Sequence, residues 1–127
     1  MTHRVLIVED DLLLSELLEM LLMVEGMQVD HAAHGGDALE RLATARYDLV
    51  VLDLMMPVMD GLQFLAELAK SKERQPPVLV FSASTGPELA QQARQAGAAA
   101  VARKPIDQDE FIGLVRSLLG DATGAGA

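Results

Sequence analysis

The sequence predicts an α/β fold, a doubly wound open sheet of five parallel strands. Three observations carry the prediction. Short β-rich runs alternate with amphipathic helical segments five times along the 127 residues. Three of those runs, VLIV, LVVL and VLVF, are continuously apolar, as strands are when helices cover both faces of a parallel sheet. Turn dipeptides Glu25-Gly26, Gly35-Gly36, Pro76-Pro77 and Ala96-Gly97 each fall between elements.

The first strand, Arg4–Val8, leads to a helix over Leu12–Glu25 whose core face is expected to be Leu14, Leu17, Leu18 and Leu21. Leu13, Met20 and Met23 add a second apolar stripe there, which reads either as deeper coverage of the helix or as a partner surface. Strand two, Gln28–Ala32, precedes a helix over Asp37–Ala45 with Ala38, Leu39, Leu42 and Ala43 at helical spacing. Strand three is Leu49–Leu52, and its helix covers Leu62–Lys70. Strand four, Val78–Phe81, is followed by a helix over Glu88–Ala96; strand five, Ala99–Arg103, by one over Gln108–Leu119. That last helix opens with DQDE, in which Asp107 and Glu110 fit a capping box. GDATGAGA, from Gly120, is small-residue chain expected as a flexible tail or the start of a linker.

Composition narrows the function. The formal net charge of −9 argues against direct contact with a nucleic-acid backbone or an anionic membrane. Three Phe, one Tyr and no Trp leave no base-stacking platform. With no cysteine, disulfides, thiolate metal sites and Cys nucleophiles are excluded. MTHRVLIVEDD holds no apolar stretch long enough for a signal peptide, and Ser15, Glu16 and Glu19 interrupt Leu12–Val24, so the expected location is cytoplasmic. His3, His31 and His34 have no metal-ligand spacing and read as surface or packing residues.

In such sheets ligands bind beyond the carboxyl ends of the strands. VLIV runs into Glu9-Asp10-Asp11, and LVVL runs into Asp53. If those two strands are neighbours, three carboxylates converge, and repulsion either raises their pKa values or demands a cation. Oxygen-only ligands favour a hard ion such as Mg²⁺. Asp11 alone is better explained as a helix cap. Ser82 and Lys104 end the fourth and fifth strands, where a hydroxyl and an ammonium can both hold a phosphoryl oxygen. Lys104-Pro105 is a candidate cis peptide.

VLIVEDD, LVVLDLMMPVMDG, VFSAS and AAAVARKP, in this order and spacing, resemble the receiver domain of two-component response regulators over roughly Arg4–Leu119. The resemblance implies a CheY-like, flavodoxin-like (βα)5 fold with strand order 2-1-3-4-5, and a receiver domain over residues 1–119. It implies Asp53 as phosphoacceptor, Asp10 as direct Mg²⁺ ligand and Glu9 as a ligand through water. Met55 would lend its backbone carbonyl to the metal, with Mn²⁺ as a substitute ion. Ser82 would be the switch hydroxyl and Lys104 the lysine that holds the phosphoryl group. Pro57 would stiffen the loop after Asp53, and Asp60-Gly61 would turn it into the next helix with Asp60 as cap. The implied partners are a sensor histidine kinase or histidine phosphotransfer protein docking near Leu13, Met20 and Met23, and a second copy or an output domain downstream.

The chain departs from the family pattern at Val101, where an aromatic is usual, and at Ile106, where Phe is usual. The expectation is therefore a switch read from the segment after Ser82, Ser84 to Glu88, with Val101 passive. A phosphohydrolase on this fold would want a second acid two residues after the nucleophile, where Met55 stands. A flavodoxin-like electron carrier would want a hydroxyl- and Gly-rich phosphate loop where Glu9-Asp10-Asp11 stands. A phosphorylation-incompetent adaptor would not need the complete set of Glu9, Asp10, Asp53, Ser82 and Lys104. The expected protein is a signalling phosphoacceptor and not a turnover enzyme.

Overall fold

The computed structural model describes residues 2–54, 61–71, 75–82, 87–105 and 107–120, with the backbone alone for Ser82. Ten elements alternate: β1 (Arg4–Val8), α1 (Leu12–Val24), β2 (Gln28–Ala32), α2 (Gly35–Thr44), β3 (Leu49–Asp53), α3 (Gly61–Ala69), β4 (Val78–Ser82), α4 (Pro87–Gln95), β5 (Ala100–Arg103) and α5 (Gln108–Leu119). The strands form one parallel sheet in the order β2-β1-β3-β4-β5.

Side chains of each central strand alternate between two cores, as the pleat requires. Leu6, Val8, Val50, Leu52, Val78 and Val80 pack with Ala38 of α2, Phe64, Leu65 and Leu68 of α3 and Ala93 of α4. Val5, Ile7, Leu49, Val51, Leu79 and Phe81 pack with Leu18 and Leu22 of α1 and Phe111 and Val115 of α5. The sheet is thus wound on both faces. Its apolar strands are needed because each fully buried Val or Leu stabilises the fold by about 1.5–3 kcal/mol.

Predicted and observed boundaries agree to within one residue, except at α2. There the Gly35-Gly36 pair, expected as a turn, forms the first helical residues. The cause is His34, which takes the N-cap position with its Nδ1 accepting from the Asp37 N–H at 3.2 Å. Its imidazole satisfies a donor that the helix start would otherwise leave open. Asp11 caps α1 by accepting from Leu13 and Leu14 N–H at 3.0 and 3.2 Å, and Asp107 caps α5 by accepting from Glu110 N–H at 3.1 Å. Gly26, after α1, has φ +85°, a left-handed conformation that favours glycine.

Gly61, the first residue of α3, is required for space. A Cβ there would lie 2.6 Å from both Leu54 Cα and Leu54 Cδ2 and 3.2 Å from the Asp53 carbonyl oxygen. This contact, with the Gly61 N–H donating to Leu54 O at 3.0 Å, seats the start of α3 against the end of β3.

Candidate functional site

The pairing of β1 with β3 sets Val8 beside Leu52, so the next residues of the two strands, Glu9 and Asp53, emerge together. Asp53 closes β3, its backbone opposite Phe81 of β4, and is only 2% exposed; Glu9 is 4% exposed. Asp10, on the loop into α1, is exposed. Carboxylate oxygens of Glu9, Asp10 and Asp53 all lie within 4.8 Å of one another.

Lys104, one residue beyond β5, reaches across β4 to this cluster. Its Nζ donates to Asp53 Oδ2 at 3.2 Å and stands 3.6 Å from Glu9 Oε1. Phe81 supports the ammonium, its ring centroid 5.0 Å from Nζ. The Lys104–Pro105 peptide is cis. The ordering of β5 beside β4, with Ser82 opposite Arg103, brings the Ser82 backbone to the same sheet edge. Val101 pairs with Val80 and packs, half-buried, against the core beneath α2, α3 and α4.

One ammonium faces three carboxylates, and burial makes the imbalance costly. Burial pushes the Glu9 carboxyl up to about 8; the charge and hydrogen bonding of Asp53 push the same way, against the Asp11 N–H and Lys104. Glu9 Oε2 accepts from the Asp11 N–H at 2.9 Å, but Oε1 is buried with no hydrogen-bond partner among the described residues. Such an orphaned oxygen calls for a missing partner.

A divalent ion fits this cluster. Three carboxylates against one lysine leave two formal negative charges, and the donors are all hard oxygens. Oxygens on one Mg²⁺ at about 2.1 Å stand about 3.0–4.2 Å apart, so carboxylate oxygens all within 4.8 Å of one another need to draw together, directly or through a water, to share an ion.

The residues expected at the phosphoryl and metal site whose side chains are described therefore share one crevice: Glu9, Asp10, Asp53 and Lys104. The expected contributions of Met55, Pro57, Asp60, Ile106, Ser84–Gly86, residues 121–127 and the Ser82 hydroxyl lie outside the described residues or side chains. Leu13, Met20 and Met23 are 79%, 60% and 57% exposed on α1; Leu17, expected on the core face, is exposed as well, because the face turned to the sheet runs through Ser15, Leu18 and Leu22. Two polar clusters away from the crevice were not anticipated. His31 Nδ1 meets Ser15 Oγ at 2.5 Å while its Nε2 meets Glu19 Oε1 at 2.8 Å, tying β2 to α1. Asp30 receives the Tyr47 hydroxyl at 2.6 Å and Arg4 Nη2 at 2.9 Å. The i, i+4 placing of Ser15 and Glu19 is a helix-face signal in the sequence, but nothing there names the strand residue they meet.

Among the described residues, no helix is long and apolar enough to cross a membrane. The family model for the response regulator receiver domain matches residues 5–116. Transcriptional regulatory protein PcoR of Escherichia coli is 35% identical over 117 residues, which are 92% of this chain and 51% of PcoR. Response regulator MprA of Mycolicibacterium vanbaalenii is 36% identical over 123 residues, 97% of this chain and 53% of that protein. The chain thus spans about half the length of these two relatives. A crystal structure of a putative response regulator from Chloroflexus aurantiacus superposes with a TM-score of 0.88 at 28% identity, covering 94% of this chain and 98% of that one. With its strand order, its acidic crevice and the match over residues 5–116, the chain belongs to the response regulator receiver domains of two-component systems.

Proposed function

We propose that Asp53 is the phosphoacceptor, taking a phosphoryl group from a histidine of a sensor kinase or phosphotransfer protein. The observation that carries this reading is the buried Asp53 carboxylate with Lys104 Nζ at 3.2 Å and two further acids beside it. An Asp53 oxygen attacks phosphorus as the P–N bond to the donor imidazole breaks; the imidazole leaves with the bonding pair and takes up a proton. The product is an aspartyl phosphate.

Attack of one anion on another depends on charge neutralisation and positioning. Lys104 holds Asp53 in place and supplies a point charge to the phosphoryl oxygens as they arrive. Asp10, Asp53 and the Met55 carbonyl would hold Mg²⁺ directly, with Mn²⁺ as a substitute, and Glu9 through water. When bound, the ion supplies the remaining positive charge. The Ser82 hydroxyl then accompanies Lys104 as a ligand of the phosphoryl group, and the two bias an inactive–active equilibrium.

The chain acts on this reading as a signalling phosphoacceptor in the cytoplasm, catalysing only its own phosphorylation and dephosphorylation. The receiver domain occupies residues 1–119, and residues 120–127 are a tail or the start of a linker. Leu13, Met20 and Met23 form the docking side for the phosphodonor protein. Intact-mass measurement after incubation with a small phosphodonor and Mg²⁺ tests the central claim. A gain of one phosphate, lost in Asp53→Ala, is expected; no gain in the unsubstituted chain would return the adaptor reading.

A further inference from the structure

We propose that Phe81 is a positioning residue for phosphoryl transfer, its ring face holding the Lys104 ammonium where the arriving phosphoryl group meets it. This role rests on the reading of Asp53 as phosphoacceptor and Lys104 as its cationic partner. Of the chain's four aromatic residues, Tyr47 precedes β3, Phe64 lies in α3 and Phe111 in α5. Phe81 is the one placed on a strand, and it is 1% exposed. Its register partner on β3 is Asp53; on β5 it is Ala102, two residues before Lys104. Strand order thus sets Phe81 between the acceptor residue and the lysine, and Lys104 Nζ lies over the ring, 5.0 Å from its centroid.

The lysine needs such a hold. Its ammonium is a compact point charge on a flexible four-carbon stem. Lys104 stands one residue past β5, and its side chain is 23% exposed. Its contacts to Asp53 and Glu9, at 3.2 and 3.6 Å, are long beside the roughly 2.7–2.9 Å of strong charge-assisted hydrogen bonds. Neither acid alone fixes the ammonium.

An aromatic face supplies the further contact without a charge. A cation within about 6 Å of a ring centroid is attracted by the ring's quadrupole, most strongly where water is excluded. A leucine at this position would exclude water as well, but would not attract the ammonium. Another carboxylate would attract it, yet would add to the negative charge already in excess and repel an incoming phosphoryl group. A ring is the side chain that holds the cation and leaves its charge for the reaction. Phe81 also packs in the core beneath α1 and α5, so its electrostatic role is separated from its packing only by changing the ring's charge distribution at constant shape.

Replacing Phe81 by mono-, di- and trifluorophenylalanine does this, since fluorine drains the negative face and nearly keeps the shape. Phe81→Leu removes the face altogether. Phosphorylation of the full chain by a small phosphodonor at fixed Mg²⁺ is followed by intact mass. The rate should fall stepwise with fluorination, and by about twofold to thirtyfold in Phe81→Leu, the span of cation–π strengths. The fluorinated rings decide the matter should Phe81→Leu fail to fold. In the metal-free, unphosphorylated chain, NMR should show a ring-current shift on the Lys104 ε-methylene protons, identified by their loss in Lys104→Met. Rates level across the fluorinated rings, or Lys104 protons without that shift, would overturn the proposal while the unsubstituted chain still takes its phosphate. No phosphate on the unsubstituted chain would remove the phosphoacceptor reading, and this role with it.

Discussion

Lys104 Nζ donates to Asp53 Oδ2 at 3.2 Å across 51 residues of sequence, joining the ends of two strands that flank β4. The lysine is the only side-chain cation that the described residues bring to the acid cluster. Lys104→Met removes that charge and leaves the cluster with its acids alone. Phosphorylation by a small donor at fixed Mg²⁺ should slow by about 10²–10³, the usual cost of deleting a preorganised electrostatic group. Lys104→Arg should recover only part of the rate, because a planar fork cannot replace a compact ammonium at this distance. A time course of phosphoprotein mass decides it, and an unimpaired Lys104→Met chain would remove the lysine from the mechanism.

The crowded acids also predict a metal-dependent stability. An ion that binds the folded crevice and not the unfolded chain adds about 2.7 kcal/mol at a hundred times its dissociation constant. Urea midpoints should therefore rise with Mg²⁺ and fall back on chelation. Asp10→Asn should shift the response to higher Mg²⁺. Glu9→Gln should raise the metal-free midpoint or leave it level, because it removes a carboxyl that burial already pushes up to about 8. A midpoint indifferent to Mg²⁺ would count against the site.

How far the sequence exposed all this depended on whether a feature was local. Strand cores were legible as apolar runs, but those runs stop one residue early at Asp53 and Ser82, because backbone pairing continues through polar residues. The Gly35-Gly36 pair looked like a turn because a histidine N-cap leaves little signature; the cap rests on one Nδ1 lone pair. Glu9, Asp10, Asp53 and Lys104 were legible because they stand at or just past strand ends, a position countable in one dimension. The Ser15–His31–Glu19 and Arg4–Asp30–Tyr47 clusters were not, since each joins elements whose facing residues only the packed fold defines.

Exposed leucine and methionine on α1 predict a docking effect separate from the chemistry. Leu13→Lys with Met20→Lys should slow phosphotransfer from a cognate kinase several-fold by raising the half-saturating concentration of the regulator. Unchanged transfer kinetics would move docking to another face.

Gly61 predicts a substitution whose sign is set by two opposed effects. Alanine is the better helix former by about 1 kcal/mol, which favours Gly61→Ala. Against that, its Cβ would sit 2.6 Å from Leu54 Cα, a backbone atom that cannot step aside alone. Overpacking of this kind costs about 1–3 kcal/mol, so net destabilisation is expected. The displaced Leu54 adjoins Asp53, and phosphorylation should slow as well. A denaturation midpoint that rose in Gly61→Ala would show that the α3 start can shift freely.

Acid sensitivity should trace in part to Asp30. The Tyr47 hydroxyl, and after it Arg4, hold this carboxyl below its ordinary value against the opposing effect of burial. A group depressed in the folded state stabilises above its unfolded pKa, near 3.9, and loses that contribution as pH falls through the folded value. Tyr47 has the opposite sign. Burial, and then Asp30, raise its phenol above 10, so its contribution is complete at neutral pH and lost only as pH climbs through the raised value. The stability gap between the unsubstituted chain and Asp30→Asn should therefore be widest near neutrality and narrow between about pH 4 and pH 2. Urea unfolding at several pH values measures it. A gap that stayed constant down to pH 2 would mean that the Asp30 charge contributes nothing, leaving only the shape and hydrogen bonding of the side chain.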